Sequence, residues 1–576
     1  MGLDVCIIGA GWSGLYACKY ALENGLQPIV LERREGLGGV WNYTDDPATT
    51  TVMKSTVSSS SRVVTEASDF FMDEKVGHFM HHEEVLDYLQ QYAANFGLTE
   101  HLHFGCTVKS VNKVGQEWEV TYEQAGVTQN IRVAKLAVCA GSNHKQKPLS
   151  GPVSNFTGQL WHAGDLKEVR PSDFSEQDRV LIYGGGETAS DLVDLLVKTP
   201  AQVTWAIRGG QHFLRKTPFH SRPGPGLFGK HDFPLDQLAS PLIAAASPFK
   251  KGAPGRRYIA DFLSTGRLRG YFGHGVPVWR NRYRYGQQFF NKNGHSVEHV
   301  ATGRVTPQDD VVAVRGKEVE FQSGQRTSFT HVICCFGYQF DCPFLPHPYN
   351  QGSLDEHFHF IFPMDDPSLA FLGFSRPIIG SIPLMTEMQC LWVFRVWSGK
   401  VNLPTEQQQR IRQQNLNRRW GQRLPGRGRM KTLVHPSTYA AHLWKASYPD
   451  RKPGDVFKKH PLRALRFLTW IPSASMVRAL NPELSGAEFK HLWRQRRQGF
   501  LIGWLLPLWV VIGRILRIEN LIDWSIQRQT AGLSKSTAAD ENTKLSDDDC
   551  TEAVVSLTMH GSCPEQKVGN SQQRAA

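Results

Sequence analysis

The stretch Val5-Cys6-Ile7-Ile8-Gly9-Ala10-Gly11-Trp12-Ser13-Gly14 decides the fold of the N-terminal part of this chain. Its four leading apolar residues predict a short strand, three glycines follow at the spacing G-x-G-x-x-G, and Leu15 to Asn24 has helical periodicity. Gly9 permits the tight turn, Gly11 lets the backbone approach a pyrophosphate, and Gly14 lets the helix pack closely on the strand. This order of strand, turn and helix predicts an α/β dinucleotide-binding fold, with the phosphates at the helix N-terminus.

A carboxylate follows the next predicted strand. Pro28 to Leu31 is an apolar run, and Glu32 comes directly after it. A carboxylate at this position accepts hydrogen bonds from the adenosine ribose hydroxyls and repels a 2′-phosphate. The first site is therefore predicted to bind FAD or NAD and not NADP.

A second glycine motif follows the apolar residues Val180 to Tyr183. It reads Gly184-Gly185-Gly186-Glu187-Thr188-Ala189, with alanine as a permitted third member of the motif. The strand predicted next, Gln202 to Arg208, ends in arginine instead of a carboxylate. A guanidinium pairs with a 2′-phosphate through two hydrogen bonds, so the second site is predicted to select NADPH.

Two further segments give the chain a specific resemblance. Gly38-Gly39-Val40-Trp41 resembles the Gly-Gly-x-Trp segment of flavoprotein monooxygenases, and it favours FAD at the first site. Phe156-Thr157-Gly158-Gln159-Leu160-Trp161-His162 matches the F-x-G-x-x-x-H core of flavin-containing monooxygenases, between the two glycine motifs. The chain resembles this family from about Val5 to Trp392.

The resemblance implies an enzyme with FAD and NADPH as cofactors and two Rossmann-like α/β domains, the second inserted in the first. Members reduce FAD with NADPH, form a C4a-hydroperoxyflavin with O2, and transfer oxygen to a nucleophilic nitrogen or sulfur of a small lipophilic compound. The cofactor then carries the reactive oxygen, so no metal cluster is expected. The residues expected to bind the two cofactors are Gly9, Gly11, Gly14, Glu32, Gly39, Val40, Trp41, Gly184, Gly186, Thr188, Ala189, Arg208, His162 and Gln389.

Two positions depart from the family pattern. An asparagine that hydrogen-bonds the hydroperoxide in the family is replaced by Ser59, whose hydroxyl is shorter and lacks the paired donor and acceptor of an amide. Leu166 stands where Baeyer–Villiger members carry tryptophan. Two alternatives therefore stay open: an NADPH oxidase or flavin reductase, and a membrane-tethered nucleotide-binding protein whose oxygenase activity has decayed. The chain has no C-x-x-C pair, which argues against a disulfide oxidoreductase.

The C-terminal third differs in composition from the rest. The formal net charge is +12, and arginine and lysine are dense from about Arg410 to Arg497. An apolar run from Phe500 to Gly513 follows, extendable to Ile518 if two arginines snorkel, with tryptophans suited to a membrane interface. This favours a membrane-attached helix over a buried core helix, and a membrane over nucleic acid as the partner of the basic stretch. The expected location is the endoplasmic reticulum membrane, with the catalytic part on the cytosolic face.

These observations predict six segments along the chain. Nothing in the sequence indicates an oligomeric state. The expected segments are a first FAD-binding part (1–165), an NADPH-binding part (166–330) with a substrate-side insert (about 217–299), a second FAD-binding part (331–400), a basic helical region (401–499), a hydrophobic membrane-attached segment (500–518) and a disordered tail (531–576).

Overall fold

The structure is a computed structural model of the chain. It describes residues 2–211, 213, 216–217, 234–238, 276, 278–279, 291–377, 380–420, 432–434, 436–451, 458, 461–463, 473–480 and 485–494. The predicted membrane-attached segment (500–518), the disordered tail (531–576) and most of the substrate-side insert lie outside the described residues. None of the helices in the described ranges is both long enough and apolar enough to cross a membrane.

The first glycine motif begins a five-stranded parallel sheet. Its central strand, Val5–Ile8, is buried at every position because neighbouring elements cover both faces, and an unbroken apolar run suits such a strand. Helix Trp12–Glu23 and the later helix Ile382–Trp397 pack together beside this sheet. The strands are, in sheet order, Leu369–Phe371, Lys135–Val138, Val5–Ile8, Pro28–Leu31 and Leu102–His103.

The second glycine motif begins a second five-stranded parallel sheet. Its central strand, Arg179–Tyr183, is followed by helix Glu187–Leu196, so the strand, turn and helix order predicted from the sequence is observed twice. The strands are, in sheet order, Val305–Gln308, Gln202–Ala206, Arg179–Tyr183, His331–Cys334 and Gln159–His162.

Two of these strands fall outside the boundaries expected at residues 165 and 330. Gln159–His162 and His331–Cys334 pair with each other in the second sheet, although the sequence placed both segments with the FAD-binding part. The chain passes between the sheets through two short segments, Lys145–Gln146 and Tyr338–Gln339, which pair antiparallel. We propose that the junctions between the two folds lie at this pair of segments.

Smaller elements complete the described part of the chain. Three antiparallel strands (Cys106–Val114, Glu117–Gln124 and Val127–Val133) are attached to the first fold, and three more (Val311–Arg315, Glu318–Phe321 and Arg326–Ser328) to the second. Strands Arg376–Pro377 and Leu433–Val434 pair in parallel. The remaining helices are Arg62–Thr65, His82–Asn95, Val297–Ala301, Glu406–Trp420, Pro436–Ser447, Ala474–Arg478 and Gly486–Arg494.

A partly buried group of charges joins distant segments beside the first fold. The Lys19 ammonium, only 2% exposed, lies 2.6 Å from a carboxylate oxygen of Asp69, and the Arg478 guanidinium lies 2.8 Å from the same oxygen. Glu387, fully buried, accepts hydrogen bonds from the Ser68 backbone and hydroxyl and from the Tyr20 phenol. Breaking a buried pair leaves an uncompensated charge, so these contacts hold helix Ala474–Arg478 against the first fold.

Two partly buried histidines beside the same fold have ring nitrogens that are shielded from water. The ring of His357 packs edge-on against Phe371, and neither of its nitrogens has a hydrogen-bond partner among the described residues. The ring of His359 packs against Trp392. Burial lowers the pKa of His357 to about 4 and that of His359 to about 3, because the imidazolium would lose its hydration. Both rings are therefore held neutral in the folded chain.

These histidines predict a loss of stability in acid. Because each folded pKa lies below the unfolded value of about 6.5, the stability is present above about pH 6.5 and is lost as the pH falls toward the folded pKa. For His357 the loss between pH 7 and pH 5 is about 2 kcal/mol. We expect His357→Phe to lose about 2 kcal/mol less than the wild type over this range, measured by urea unfolding. The same substitution at exposed His103 is the control, and an unchanged pH dependence in His357→Phe would contradict the assignment.

Candidate active site

The first glycine turn is fixed by backbone contact. Gly9 has φ +104°, a conformation that favours glycine, and a Cβ at Gly14 would lie only 1.8 Å from the Gly9 carbonyl oxygen. Gly39 is brought against this turn, because a Cβ at Gly39 would lie 3.0 Å from the Gly11 Cα, and the Gly38 N–H donates to the Ala10 carbonyl at 2.9 Å. Two glycine segments that are separate in sequence thus form one surface of bare backbone.

Glu32 lies beside that surface and is held by backbone donors. Its side chain is 6% exposed, and its two oxygens accept hydrogen bonds from the Ala10 N–H at 2.7 Å and the Arg34 N–H at 3.0 Å. A carboxylate has about four acceptor positions, so two remain for ribose hydroxyls. The Arg34 guanidinium donates to the Gly39 and Asn42 carbonyls and holds the loop that carries Val40 and Trp41. The bare turn and the fixed carboxylate fit the adenosine and pyrophosphate parts of FAD.

The second glycine turn has the same construction. Gly184 has φ +139°, and a Cβ there would lie 2.8 Å from the Cys335 carbonyl oxygen. Helix Glu187–Leu196 begins after Gly186 without a side-chain cap, which leaves its first N–H groups available for a phosphate. Thr188 lies in its first turn, and the fully buried Ala189 leaves room only for a small side chain. This turn fits the pyrophosphate of a second dinucleotide.

The sequence did not indicate Asn291 as part of this turn. Its amide donates to the carbonyls of Gly185 and Gly186 and to the Ser190 hydroxyl, at 2.7–3.1 Å, and it is fully buried. These carbonyls lie more than 100 residues away in the chain, so no local motif reveals the contact. The polar run Asn291-Lys292-Asn293 after two phenylalanines was the available signal.

Arg208 is exposed at the edge of the second sheet. The strand predicted to run to Arg208 ends at Ala206, so the guanidinium lies two residues beyond the strand. Burial raises the pKa of the nearby Tyr183 phenol, which donates to the Asp310 carboxylate, while the charge of Arg208 opposes that rise. The guanidinium thus lies close to the end of the strand that leads into the glycine turn.

His162 lies where the two folds meet. Its Nε2 is 3.2 Å from the Gly337 carbonyl, its Nδ1 accepts the Gly164 N–H at 3.0 Å, and its ring packs edge-on against Tyr338. Burial lowers its pKa. Both ring nitrogens make hydrogen bonds within the chain. His162 therefore positions the segment at Gly337 and Tyr338, through which the chain returns to the first fold.

Gln389 is likewise fully engaged within the chain. Its carbonyl oxygen accepts the Gly373 N–H at 2.9 Å, and its amide donates to the Ser375 and Tyr439 hydroxyls. Gly373 in turn lies against the first glycine motif, since a Cβ there would be 2.1 Å from the Ser13 hydroxyl oxygen. Gln389 therefore positions the segment beside the flavin-side turn.

Ser59 lies between two fixed serines. The Ser58 hydroxyl donates to the Ser60 carbonyl and accepts from the Met80 N–H, and the Ser61 N–H donates to the Asp236 carboxylate at 2.7 Å. Ser59 itself is partly exposed, and its hydroxyl makes no hydrogen bond with a described residue. The backbone around Ser59 is thus held while its hydroxyl stays free of described partners.

Among the described residues, no group of histidine, cysteine or acidic side chains could hold a metal ion.

Comparison with known proteins agrees with this arrangement. The family model described as flavin-binding monooxygenase-like matches residues 3–424. Rabbit (Oryctolagus cuniculus) flavin-containing monooxygenase 5 is 29% identical over 422 residues, which cover 70% of this chain and 75% of the relative. Guinea pig (Cavia porcellus) dimethylaniline monooxygenase [N-oxide-forming] 2 is 25% identical over 461 residues, covering 77% and 82%.

A solved structure shares the fold at lower identity. The S-allyl-L-cysteine S-oxygenase of Allium sativum superposes with a TM-score of 0.55 and 20% identity, over 87% of this chain and 99% of that one. Proteins of this family use FAD and NADPH as cofactors, and the two glycine turns described above fit these two molecules. The chain therefore belongs to the flavin-binding monooxygenase-like family and is a flavin-dependent monooxygenase with FAD and NADPH as cofactors.

Proposed function

We propose that this enzyme uses NADPH and O2 to oxygenate nucleophilic nitrogen or sulfur atoms of small lipophilic compounds. The observation that carries the proposal is the pair of glycine turns with opposite charges at their second strands, Glu32 in one fold and Arg208 in the other. A carboxylate suits the unphosphorylated ribose of FAD, and a guanidinium suits the 2′-phosphate of NADPH. The chain can thus hold an electron donor and a flavin in separate, selective sites.

FAD supplies the oxygen chemistry when it is bound, and the chain supplies position and exclusion of water. In the proposed arrangement Gly9, Gly11, Gly14 and Gly39 present backbone to FAD, with Glu32 on its ribose. For NADPH the turn is formed by Gly184 and Gly186, with Thr188 and Ala189 in the first helical turn. Val40 and Trp41 follow Gly39 beside the first glycine turn, where the flavin would bind. His162 and Gln389 hold the adjoining backbone in place.

Three observations support nitrogen or sulfur as the oxygenated atom. Leu166 occupies the position at which Baeyer–Villiger members carry tryptophan, and its side chain packs at the edge of the core of the second fold. The guinea pig relative is named for N-oxide formation. Soft nucleophiles need no activating base, which agrees with the engaged state of both nitrogens of His162.

A second candidate function rests on Ser59. A serine in place of the family's asparagine offers one short donor, and an oxygenase that holds its oxygen poorly releases hydrogen peroxide as an NADPH oxidase does. A single assay distinguishes the two functions: NADPH consumed, hydrogen peroxide released and product formed, measured with a tertiary amine and with a thioether. Product that matches most of the NADPH consumed with at least one compound supports oxygenation, and peroxide that matches the NADPH consumed with both compounds overturns it.

We also propose a membrane location. The basic region (401–499) followed by the apolar segment 500–518 suits attachment to an anionic membrane surface, with the catalytic part on the cytosolic face of the endoplasmic reticulum. Flotation of the full chain with vesicles, compared with a chain that ends at residue 499, tests this placement. Equal flotation of the two chains would contradict it.

Replacing Arg208 tests the NADPH site. Arg208→Glu exchanges a cation for a charge that repels the 2′-phosphate, so we expect KM for NADPH to rise at least about tenfold, the effect of losing one charge-assisted hydrogen bond. KM for NADH should change far less, and steady-state kinetics with both coenzymes measures the ratio. Arg304→Glu is the matched control. Arg304 is also exposed, but it precedes strand Val305–Gln308 and so lies at the N-terminal ends of the parallel strands, whereas Arg208 lies at their C-terminal ends. Equal changes for both coenzymes would contradict the assignment.

Replacing Ser59 tests the oxygen side. Ser59→Asn restores an amide with both a donor and an acceptor, so we expect the fraction of NADPH that ends as hydrogen peroxide to fall by about twofold or more, the effect of one net hydrogen bond. Ser59→Ala should raise that fraction. The ratio of peroxide to NADPH is the readout, and Ser55→Asn, at an exposed serine four residues earlier, is the control. An unchanged ratio in both Ser59 variants would remove Ser59 from the site.

A further inference from the structure

A buried carboxyl of the insert contacts residues Ser58 to Ser61 of the flavin-side fold, which we call the serine segment. Asp236 is 6% exposed, and one of its oxygens accepts the Ser61 N–H at 2.7 Å. The neighbouring Gln237 donates from its amide to the Ser61 hydroxyl at 3.1 Å. The other Asp236 oxygen is buried without a hydrogen-bond partner among the described residues. No local motif indicates Asp236, which lies 175 positions from Ser61.

A buried lysine of the second fold contacts the Gly380 segment, which packs against the short helix that begins after Ser61. Lys292 is 6% exposed, and its ammonium donates to the Gly380 carbonyl at 3.4 Å. In the described part of the chain no carboxylate oxygen lies within 4.0 Å of that ammonium. Burial raises the pKa of Asp236, and the positive charge of Lys292 acts against that rise. The two side chains thus lie on either side of one contact, in which the Ser381 hydroxyl next to Gly380 donates to the Val64 carbonyl of the short helix after Ser61 at 2.8 Å. They do not form a direct ion pair.

The backbone around Lys292 links this pair of charges to the NADPH side. The Lys292 N–H donates to the Glu187 carboxylate at 3.0 Å, at the start of the helix that follows the second glycine turn. Adjacent Asn291 donates to the turn's own carbonyls. Gly380 immediately precedes Ser381, which caps the buried helix Ile382–Trp397 of the flavin-side fold. Three segments of different parts of the chain thus meet at two buried charges.

We propose that Asp236 and Lys292 form one electrostatic unit of positioning residues that holds the serine segment and Gly380 in register with the NADPH turn. The proposal rests on the proposed function, since it concerns the same site. Losing one member leaves the other as a buried charge without compensation, which shifts the segments attached to it. The effect must therefore appear as weaker retention of NADP+ and more peroxide, and not only as lower stability.

A double-mutant cycle on the full-length, FAD-loaded enzyme tests this unit. The variants are Asp236→Asn, which keeps an oxygen for the Ser61 N–H but removes the charge, Lys292→Met, and the two together. We expect each single variant to bind NADP+ about tenfold more weakly, a typical strength for coupled sites, and to raise the fraction of NADPH that ends as peroxide. The double variant should be no worse than the weaker single one, because residues of one unit are not additive.

Further measurements keep the test decisive. NADP+ affinity is read from the flavin spectrum of the oxidised enzyme, with FAD content and thermal midpoint measured on every variant. Lys292→Arg keeps the charge and should bind NADP+ as the wild type does, and Lys198→Met is the control at an exposed lysine beyond the same helix. Wild-type NADP+ affinity in both single variants, losses that multiply in the double variant, or a Lys292→Arg as weak as Lys292→Met would overturn the proposal.

The readouts also separate the proposal from the proposed function. NADP+ binding to the oxidised enzyme needs no oxygen transfer. A wild type that forms peroxide but no oxygenated product would therefore refute the proposed function and leave the cycle to decide whether the two charges act together.

Discussion

The flavin-side fold depends on a close contact between Gly14 and the Gly9 carbonyl that only a residue without a Cβ allows. Between strand Val5–Ile8 and helix Trp12–Glu23, the Gly14 Cα faces the Gly9 carbonyl so closely that any Cβ would lie 1.8 Å from that oxygen. This closeness holds the helix on the strand and turns its first N–H groups toward the outside of the glycine turn. It also leaves the space in which Gly39 meets Gly11, so the second glycine segment can complete the surface.

Buried charges fix the elements that arrive later in the chain. Helix Trp12–Glu23 contributes Lys19, helix Ile382–Trp397 contributes Glu387, and helix Ala474–Arg478 contributes Arg478, with Asp69 between them. Burying these groups is costly unless each has a partner, and here each has at least one. The basic stretch from about Arg410 to Arg497 is therefore not uniformly available to a membrane, because Arg478 pairs with Asp69 of the first fold.

What the sequence could predict was local. Both glycine turns, the carboxylate at Glu32 and the arginine at Arg208 are readable because each lies within about 25 residues of its partner elements. The contacts of Asn291, Asp236 and Lys292 join segments more than 85 residues apart, and no spacing rule indicates them. Strand Gln159–His162, within the segment expected as the first FAD-binding part (1–165), pairs in the second sheet with His331–Cys334, far along the chain, and no local pattern indicates that pairing.

The two charged strand ends also differ in burial, and the difference suits their ligands. Glu32 is 6% exposed and is held by two backbone N–H groups, so ribose hydroxyls would bind to a group that is already desolvated and fixed. Arg208 is exposed and would lose part of its hydration when it pairs with a phosphate. A pre-organised, buried contact dissociates slowly, whereas an exposed ion pair contributes little beyond selectivity. If Glu32 and Arg208 bind the two dinucleotides as proposed, one fold retains its dinucleotide through many turnovers, and the other distinguishes a dinucleotide that must arrive and leave.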